Sequence, residues 1–243
     1  MSPFFQNKHS LEALFNPADF VTYANYPTDL PAKYVLTYET SALNYFRRRY
    51  RPAQKIKLRA DLSIYQYRDT GFVRIAGIGS PNAVTAIEEL IALGGKTFIT
   101  VGTAGGLYRE GIFLCKRALR DEGTSYHYTS RGKYSYPDKE LTSKLGRCLR
   151  NQGLKYFEGT TWTTDAPYRE TRAEIKHYAK KGVATVEMEA SALFVVAKYR
   201  KAKIAGAFIV GDVLEERWEP KFKNIAVKSM LNRLVDTAME CLE

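Results

Sequence analysis

The sequence predicts an α/β protein built on a largely parallel sheet, and three observations predict it. Short apolar runs rich in β-branched residues alternate with amphipathic runs of helical period. Two of the apolar runs open into glycine-rich segments, Gly77-Ile78-Gly79 and Gly102-Thr103-Ala104-Gly105-Gly106. The segment between them has the pattern of a single helix, so strand, glycine turn, helix, strand and glycine turn follow in the order such a sheet requires. Ligands of these sheets bind beyond the carboxyl ends of the strands, which places both glycine segments near one cleft. Glycine lets backbone amides approach an anion or a sugar with no Cβ between. One GxG after a strand often marks only a tight turn; two flanking one helix carry more weight.

The elements are justified in order. Residues 1–33 carry Pro3, Pro17, Pro27 and Pro31 and read as an N-terminal arm with little regular structure. Residues 33–37 form a short apolar strand and 42–50 a helix, followed by strands over 63–67 and 72–76. A helix from Asn82 sets Val84, Ile87, Leu90 and Ile91 on one side and stops at Gly94-Gly95, as helix ends do. Residues 97–101 are a buried strand leading into the second glycine segment. The stretch 137–153 holds a helix, and 159–165 a threonine-rich strand around Trp162 that suits a pocket wall, although exposed strands also favour threonine. A charged helix over 169–181 precedes the strand 204–210, which ends at Gly211-Asp212. An aspartate just past a buried strand suits a general acid or base, and equally a helix N-cap. An amphipathic helix from residue 220 closes the chain.

Composition narrows the function classes. With 243 residues, 45% of them hydrophobic, the chain can bury one full core and is read as a single domain, 1–243. No apolar run reaches the roughly 18 residues of a membrane span, and the N-terminus lacks the pattern of a secretory signal. A cytoplasmic protein with no membrane partner is expected. Cys115, Cys148 and Cys241 show no metal or redox spacing and read as buried thiols, and no metal or cofactor is expected. The net charge of +11 raises nucleic acid as a partner. The only dense basic run is Arg47-Arg48-Arg49-Tyr50-Arg51, with no nucleic-acid module around it, so none is expected. A small anionic substrate would use the same positive field.

The most informative segment is 185–193, Thr-Val-Glu-Met-Glu-Ala-Ser-Ala-Leu, which sets Glu187 and Glu189 in an apolar run entering a helix. An ionised carboxylate there costs several kcal/mol unless polar partners meet it. The helix dipole accounts for one glutamate, not for two with Met188 between them. A carboxylate on that buried side can accept hydrogen bonds from paired hydroxyls such as a ribose presents.

The run from Gly77 to Leu107, then Thr163-Thr164-Asp165-Ala166-Pro167-Tyr168, Val186 to Leu193, and Ile209-Val210-Gly211-Asp212 resemble, in order and spacing, the nucleoside phosphorylase superfamily that includes uridine phosphorylase and the hexameric purine nucleoside phosphorylases. The similarity extends from about residue 57 to the end. It implies a three-layer α/β/α sandwich around a mixed, partly barrel-like sheet. It also implies roles: Glu189, Glu187, Met188 and Thr103 at the ribose; Gly79, Thr103 and Arg59 at phosphate, Arg59 lent to a neighbouring subunit; Thr163, Thr164, Asp165 and Trp162 around the base; Asp212 as the acid that protonates a leaving purine; His9 as a weaker candidate for an arm histidine reaching a neighbour's ribose. Glu189 and Asp212 are the expected catalytic pair, and a homo-oligomer, dimer or hexamer, is implied. Cleavage passes through a ribosyl group of oxocarbenium character, which Glu189 would stabilise through the sugar hydroxyls.

The resemblance has two departures. The Gly-Asp-Pro loop of the phosphorylases, with its nearby arginine, is replaced after the first strand by Tyr38-Glu39-Thr40-Ser41, and Thr100 stands where they carry another arginine. Two phosphate-binding cations are therefore missing from their places. Tyr168 is followed by Arg169-Glu170-Thr171-Arg172 rather than the Gln-x-Arg that reads uracil. The expected activity is phosphorolysis of a nucleoside, with purine as base and phosphate as co-substrate, for which Arg47, Arg48, Arg49 or Arg59 would have to compensate. The alternatives are hydrolysis with Glu39 orienting water, and a nucleoside binder without catalysis.

Overall fold

The computed structural model describes residues 5, 7–130, 132–214, 221 and 224–243. Among them a mixed ten-stranded sheet forms the centre. In chain order its strands are β1 (Lys33–Thr37), β2 (Gln54–Arg59), β3 (Leu62–Tyr67), β4 (Thr70–Arg74), β5 (Thr97–Gly106), β6 (Gly111–Asp121), β7 (Tyr134–Ser135), β8 (Tyr156–Thr164), β9 (Val183–Glu187) and β10 (Lys203–Val213). They lie in the order β10-β6-β8-β9-β5-β1-β4-β3-β2, with β7 on β6. Because β10 also pairs with β5, the first five strands close into a barrel-like ring, from which β1, β4, β3 and β2 extend.

The helices are α1 (Pro17–Tyr23), α2 (Thr40–Tyr50), α3 (Ser80–Ala92), α4 (Lys139–Asn151), α5 (Arg172–Lys180), α6 (Ala190–Tyr199) and α7 (Ile225–Leu242). Alternation along the strands feeds two cores. Leu36 and Val73 pack with Ile87 and Leu90 of α3 and Leu193 and Val196 of α6. Their strand neighbours Val35 and Phe72 pack with Phe46 of α2, Leu145 of α4 and Leu234 of α7. Helices thus cover both faces of the sheet, and the α/β/α layering around a partly barrel-like sheet is as expected.

Several elements differ from the sequence reading. The arm contains α1, because Asn16 caps it in a reciprocal box with Asp19 and Pro17 occupies the first helical position, where no amide is needed. Strand β2 escaped notice because it is an edge strand: Lys55 and Lys57 point outward while Leu58 is buried, the pattern that guards an open edge. Strand β6 was hidden by Lys116, Arg117, Arg120 and Asp121, which break its apolar run. The expected start of the last helix at residue 220 lies outside the described residues; α7 begins at Ile225, capped by Asn224.

The second glycine segment is strand, not turn. Gly102, Thr103 and Ala104 pair with Phe208, Ile209 and Val210 of β10, and Gly105 and Gly106 pair with Val186 and Thr185 of β9. A Cβ on Gly106 would lie 2.6 Å from both the Arg109 carbonyl oxygen and Val210 Cγ1, so glycine is required for ring closure. Gly106→Ala is expected to lower stability by about 1–3 kcal/mol, the usual cost of overpacking, read as a lower urea midpoint at unchanged slope.

Candidate functional site

The site is built where β9 meets the glycine end of β5. Antiparallel pairing of Val186 with Gly105 brings Glu187, the last residue of β9, beside that end of β5. Glu187 and Glu189 are both buried. Glu187 is held by protein groups on both carboxylate oxygens: Oε1 accepts from the Thr163 hydroxyl (2.5 Å), and Oε2 from the backbone amides of Glu189 (2.8 Å) and Ala190 (2.6 Å). Its partners are thus the start of α6 and strand β8, and the Thr163 hydroxyl also accepts the Ser191 amide at 3.0 Å. Burial pushes the Glu187 carboxyl up, opposed by these hydrogen bonds.

Glu189 is the N-cap residue of α6, and its Oε1 accepts the Gly79 amide at 2.6 Å. Gly79 has φ +96°, a conformation suited to glycine, which aims its amide across the site. The neighbouring Ser80 hydroxyl donates to the Met188 carbonyl at 2.8 Å, tying the start of α3 to the glutamate segment. Burial, with the nearby charges of Glu187 and Glu39, pushes the Glu189 carboxyl up to about 8.

The third carboxylate is Glu39, the residue before α2. Its Oε1 accepts both the backbone amide and the hydroxyl of Thr103, each at 2.9 Å, and its Oε2 accepts the Thr37 hydroxyl at 2.9 Å. Gly102 borders this carboxylate, and a Cβ there would make only ordinary contact, 3.5 Å from Glu39 Oε1. Among the described residues no lysine or arginine is ion-paired or hydrogen-bonded to Glu39, Glu187 or Glu189.

Behind these carboxylates lie the inaccessible hydroxyls of Tyr38 and Thr100, which face each other. Burial first, and then the charge of Glu189, push the Tyr38 phenol well up, so it remains a neutral hydroxyl. Replacing Thr100 by the isosteric valine removes the hydroxyl that faces the Tyr38 phenol, and a buried donor left unmatched costs about 1–3 kcal/mol. Thr100→Val is therefore expected to lower the melting temperature, which differential scanning fluorimetry would show.

Asp212 lies on β10 at a bulge, where Val210 pairs with Ala104 but Val213 with Gly106, one extra residue on the β10 side. Such bulges re-aim side chains next to sites. Asp212 is thus within the strand rather than past it, and it is not a helix cap. Three residues separate it from Ile209, the partner of Thr103, or about 10 Å of strand rise. It is 3% exposed, and burial raises its carboxyl, with Lys221 opposing and Glu110 adding. The half-buried Glu170, pushed up to about 7 by burial and by the charges of Glu174 and Asp212, belongs to the same rim. Sequence reasoning noticed Glu170 only as a departure from the uracil-reading pattern.

Other expected site residues fall elsewhere. Trp162, expected at the base, is 1% exposed in a third core under α5, its indole donating to Asp121 (2.9 Å) and its ring 4.9 Å from that of Tyr178. A ring enclosed in this way presents no face to a ligand. Thr164 accepts the Ala166 amide at 3.2 Å, and Asp165 latches the neighbouring loop through the Gly123 amide at 2.7 Å. Arg59 pairs with Glu89 of α3 at 3.4 Å and with Asp61, and not with Glu39, Glu187 or Glu189. His9 lies in a single turn, Lys8–Ser10, at the surface of the arm. Among the described residues no group of three or more His, Cys, Asp or Glu is arranged to hold a metal ion, and no helix is long and apolar enough to cross a membrane.

The chain matches the family model described as the phosphorylase superfamily over residues 44–242. A purine nucleoside phosphorylase of Plasmodium vivax is 28% identical over 183 residues, covering 72% of this chain and 74% of the relative. Among solved structures, an AMP nucleosidase from Bacteroides thetaiotaomicron superposes with a TM-score of 0.77 at 22% identity, covering 94% of this chain and 98% of that one. A uridine phosphorylase from Vibrio fischeri does so with a TM-score of 0.77 at 24% identity, covering 92% and 98%. At these identities the two structural likenesses speak for the fold.

Proposed function

The chain belongs to the phosphorylase superfamily, and on that premise we propose that it is an N-ribosyl hydrolase, cleaving the N-glycosidic bond of a nucleoside, with purine the favoured base, by attack of water. The observation that carries this reading is the seat of Glu39. Its carboxylate already occupies both donors of Thr103 in the glycine segment, the backbone amide and the hydroxyl. An incoming phosphate would meet a fixed negative charge there and, among the described residues, no cation paired to it. A water molecule meets an acceptor suited to take its proton.

In this reading Glu189 accepts hydrogen bonds from the ribose hydroxyls and stabilises positive charge as the sugar approaches an oxocarbenium ion. Glu187 positions Glu189 and the start of α6, whose Glu189 and Ala190 amides its Oε2 accepts while Thr163 holds its Oε1. Water, oriented by Glu39, attacks the anomeric carbon; the carbon–nitrogen bond breaks, and Asp212 delivers a proton to the departing base. The products are free base and ribose. Phosphorolysis, the reading favoured by the motifs and by the Plasmodium vivax relative's name, requires phosphate to displace Glu39 from Thr103.

The test is base release from inosine, adenosine, guanosine and uridine, with and without phosphate. Release independent of phosphate, with free ribose as product, is expected; a strict phosphate requirement with ribose 1-phosphate formed would establish the phosphorylase instead. Asp212→Asn is expected to slow purine release by about 10²- to 10⁴-fold, the worth of a general acid. A binder without catalysis would show no release from wild type, and its affinity would be unaffected by that substitution.

A further inference from the structure

The two cysteines set aside as separate buried thiols meet across the helices behind the sheet. Cys148 is on α4 and Cys241 on α7, and both belong to the core shared by those helices. The helix register brings them together. Gln152, the residue after α4, accepts the Thr237 hydroxyl on its side-chain oxygen at 2.6 Å, and its carbonyl accepts Arg233 at 3.0 Å. One turn back along α4 from Gln152 is Cys148, and one turn forward along α7 from Thr237 is Cys241. In an antiparallel pair the residues one turn to either side of a contact also face each other. The two thiols are within hydrogen-bonding reach, and burial first, then Cys148, pushes the Cys241 thiol up to about 12. Cys148 is the half-exposed member and Cys241 the enclosed one. Lys144 and Arg147, on the α4 side, oppose part of that rise at Cys241.

We propose that Cys148 and Cys241 form a thiol–disulfide exchange site, in which oxidation by a small disulfide such as glutathione disulfide clamps the C-terminal helix to α4. The Cys148 thiolate attacks one sulfur of glutathione disulfide, forming a mixed disulfide and releasing one glutathione thiolate, which takes up the proton lost by Cys148. Cys241, losing its proton, attacks the Cys148 sulfur of that mixed disulfide and expels the second glutathione. One disulfide is consumed and one formed; the two cysteines are oxidised and glutathione disulfide is reduced to two glutathione molecules. The crosslink closes a loop of roughly 90 residues, which restricts the unfolded chain strongly. The third cysteine, Cys115, is fully buried in the opposite core and takes no part.

The experiment treats the full chain with glutathione disulfide, denatures it, alkylates the remaining thiols and maps peptides by mass spectrometry. The expected result is a Cys148–Cys241 crosslinked peptide, Cys115 alone alkylated, and a melting temperature raised by roughly 5–10 °C. Cys241→Ser should stop the reaction at a single glutathione adduct on Cys148 and abolish the rise in melting temperature, while Cys115→Ser should change neither outcome. A stable glutathione adduct on Cys148 of the wild-type chain with Cys241 still alkylated, or no change at either residue, would overturn the proposal.

Discussion

Replacing Glu39 with glutamine is expected to lower turnover of the best nucleoside substrate by about 10²- to 10⁴-fold, the range for loss of a positioned general base. The folded state should be retained. An amide has one oxygen and one nitrogen, so the substituted side chain can still accept the Thr103 amide on its oxygen (2.9 Å in the native carboxylate) while its nitrogen faces Thr37. What it cannot do is take a proton from water. Steady-state kinetics with a base-release readout and a thermal melt would separate the two effects. If Glu39→Gln turns over at the wild-type rate, water is not activated at Glu39 and the hydrolase reading fails. If the variant instead gains dependence on phosphate, the removed charge was what excluded the anion.

The second large effect concerns Glu189. Its carboxyl is raised by folding from an ordinary 4.5 to about 8. Below pH 4.5 both folded and unfolded chains hold that proton and nothing is lost. As pH rises toward 8 the unfolded chain ionises first, so the contribution of this proton to stability falls away, and above 8 the loss is complete. Glu187 is raised in the same sense, so the two act together. Glu189→Gln keeps an oxygen for the Gly79 amide but does not titrate. It is expected to melt higher than wild type by an increasing margin between pH 5 and 8, reaching on the order of a few kcal/mol, while turnover measured at pH 8 and above, where the wild-type carboxylate is ionised, drops by about 10²-fold or more because the charge that stabilises the ribosyl cation is gone. Melting curves across that range, paired with kinetics, would check both halves. Parallel pH profiles for wild type and variant would mean that Glu189 is ionised at little cost in the free protein.

Both predictions rest on residues that were legible in the sequence to different degrees. The glutamate segment announced itself because carboxylates in an apolar run demand partners. Glu39 reads in the sequence only as a candidate for orienting water, since nothing in its neighbourhood in the chain reveals that Thr103, 64 positions away, supplies two donors. Trp162 misled because a tryptophan among threonines has the same local pattern whether it lines a pocket or fills a core. Arg59 and Asp165 are held by partners, Glu89 and Gly123, that lie far off in sequence.

By itself the sequence determined the strand and helix alternation, the candidate site around Glu187, Glu189 and Asp212, and the family. These are properties of local period, of buried charge within one segment, and of motifs in fixed order. Only the tertiary structure decided which groups those charges meet: that Glu187 is engaged by Thr163 and the start of α6, that Glu39 covers the Thr103 donors, that the glycines at the end of β5 close a ring of strands, and that Cys148 faces Cys241. The physical reason is that pairing across a sheet or between helices depends on register, and register is a relation between distant segments that neither segment carries alone.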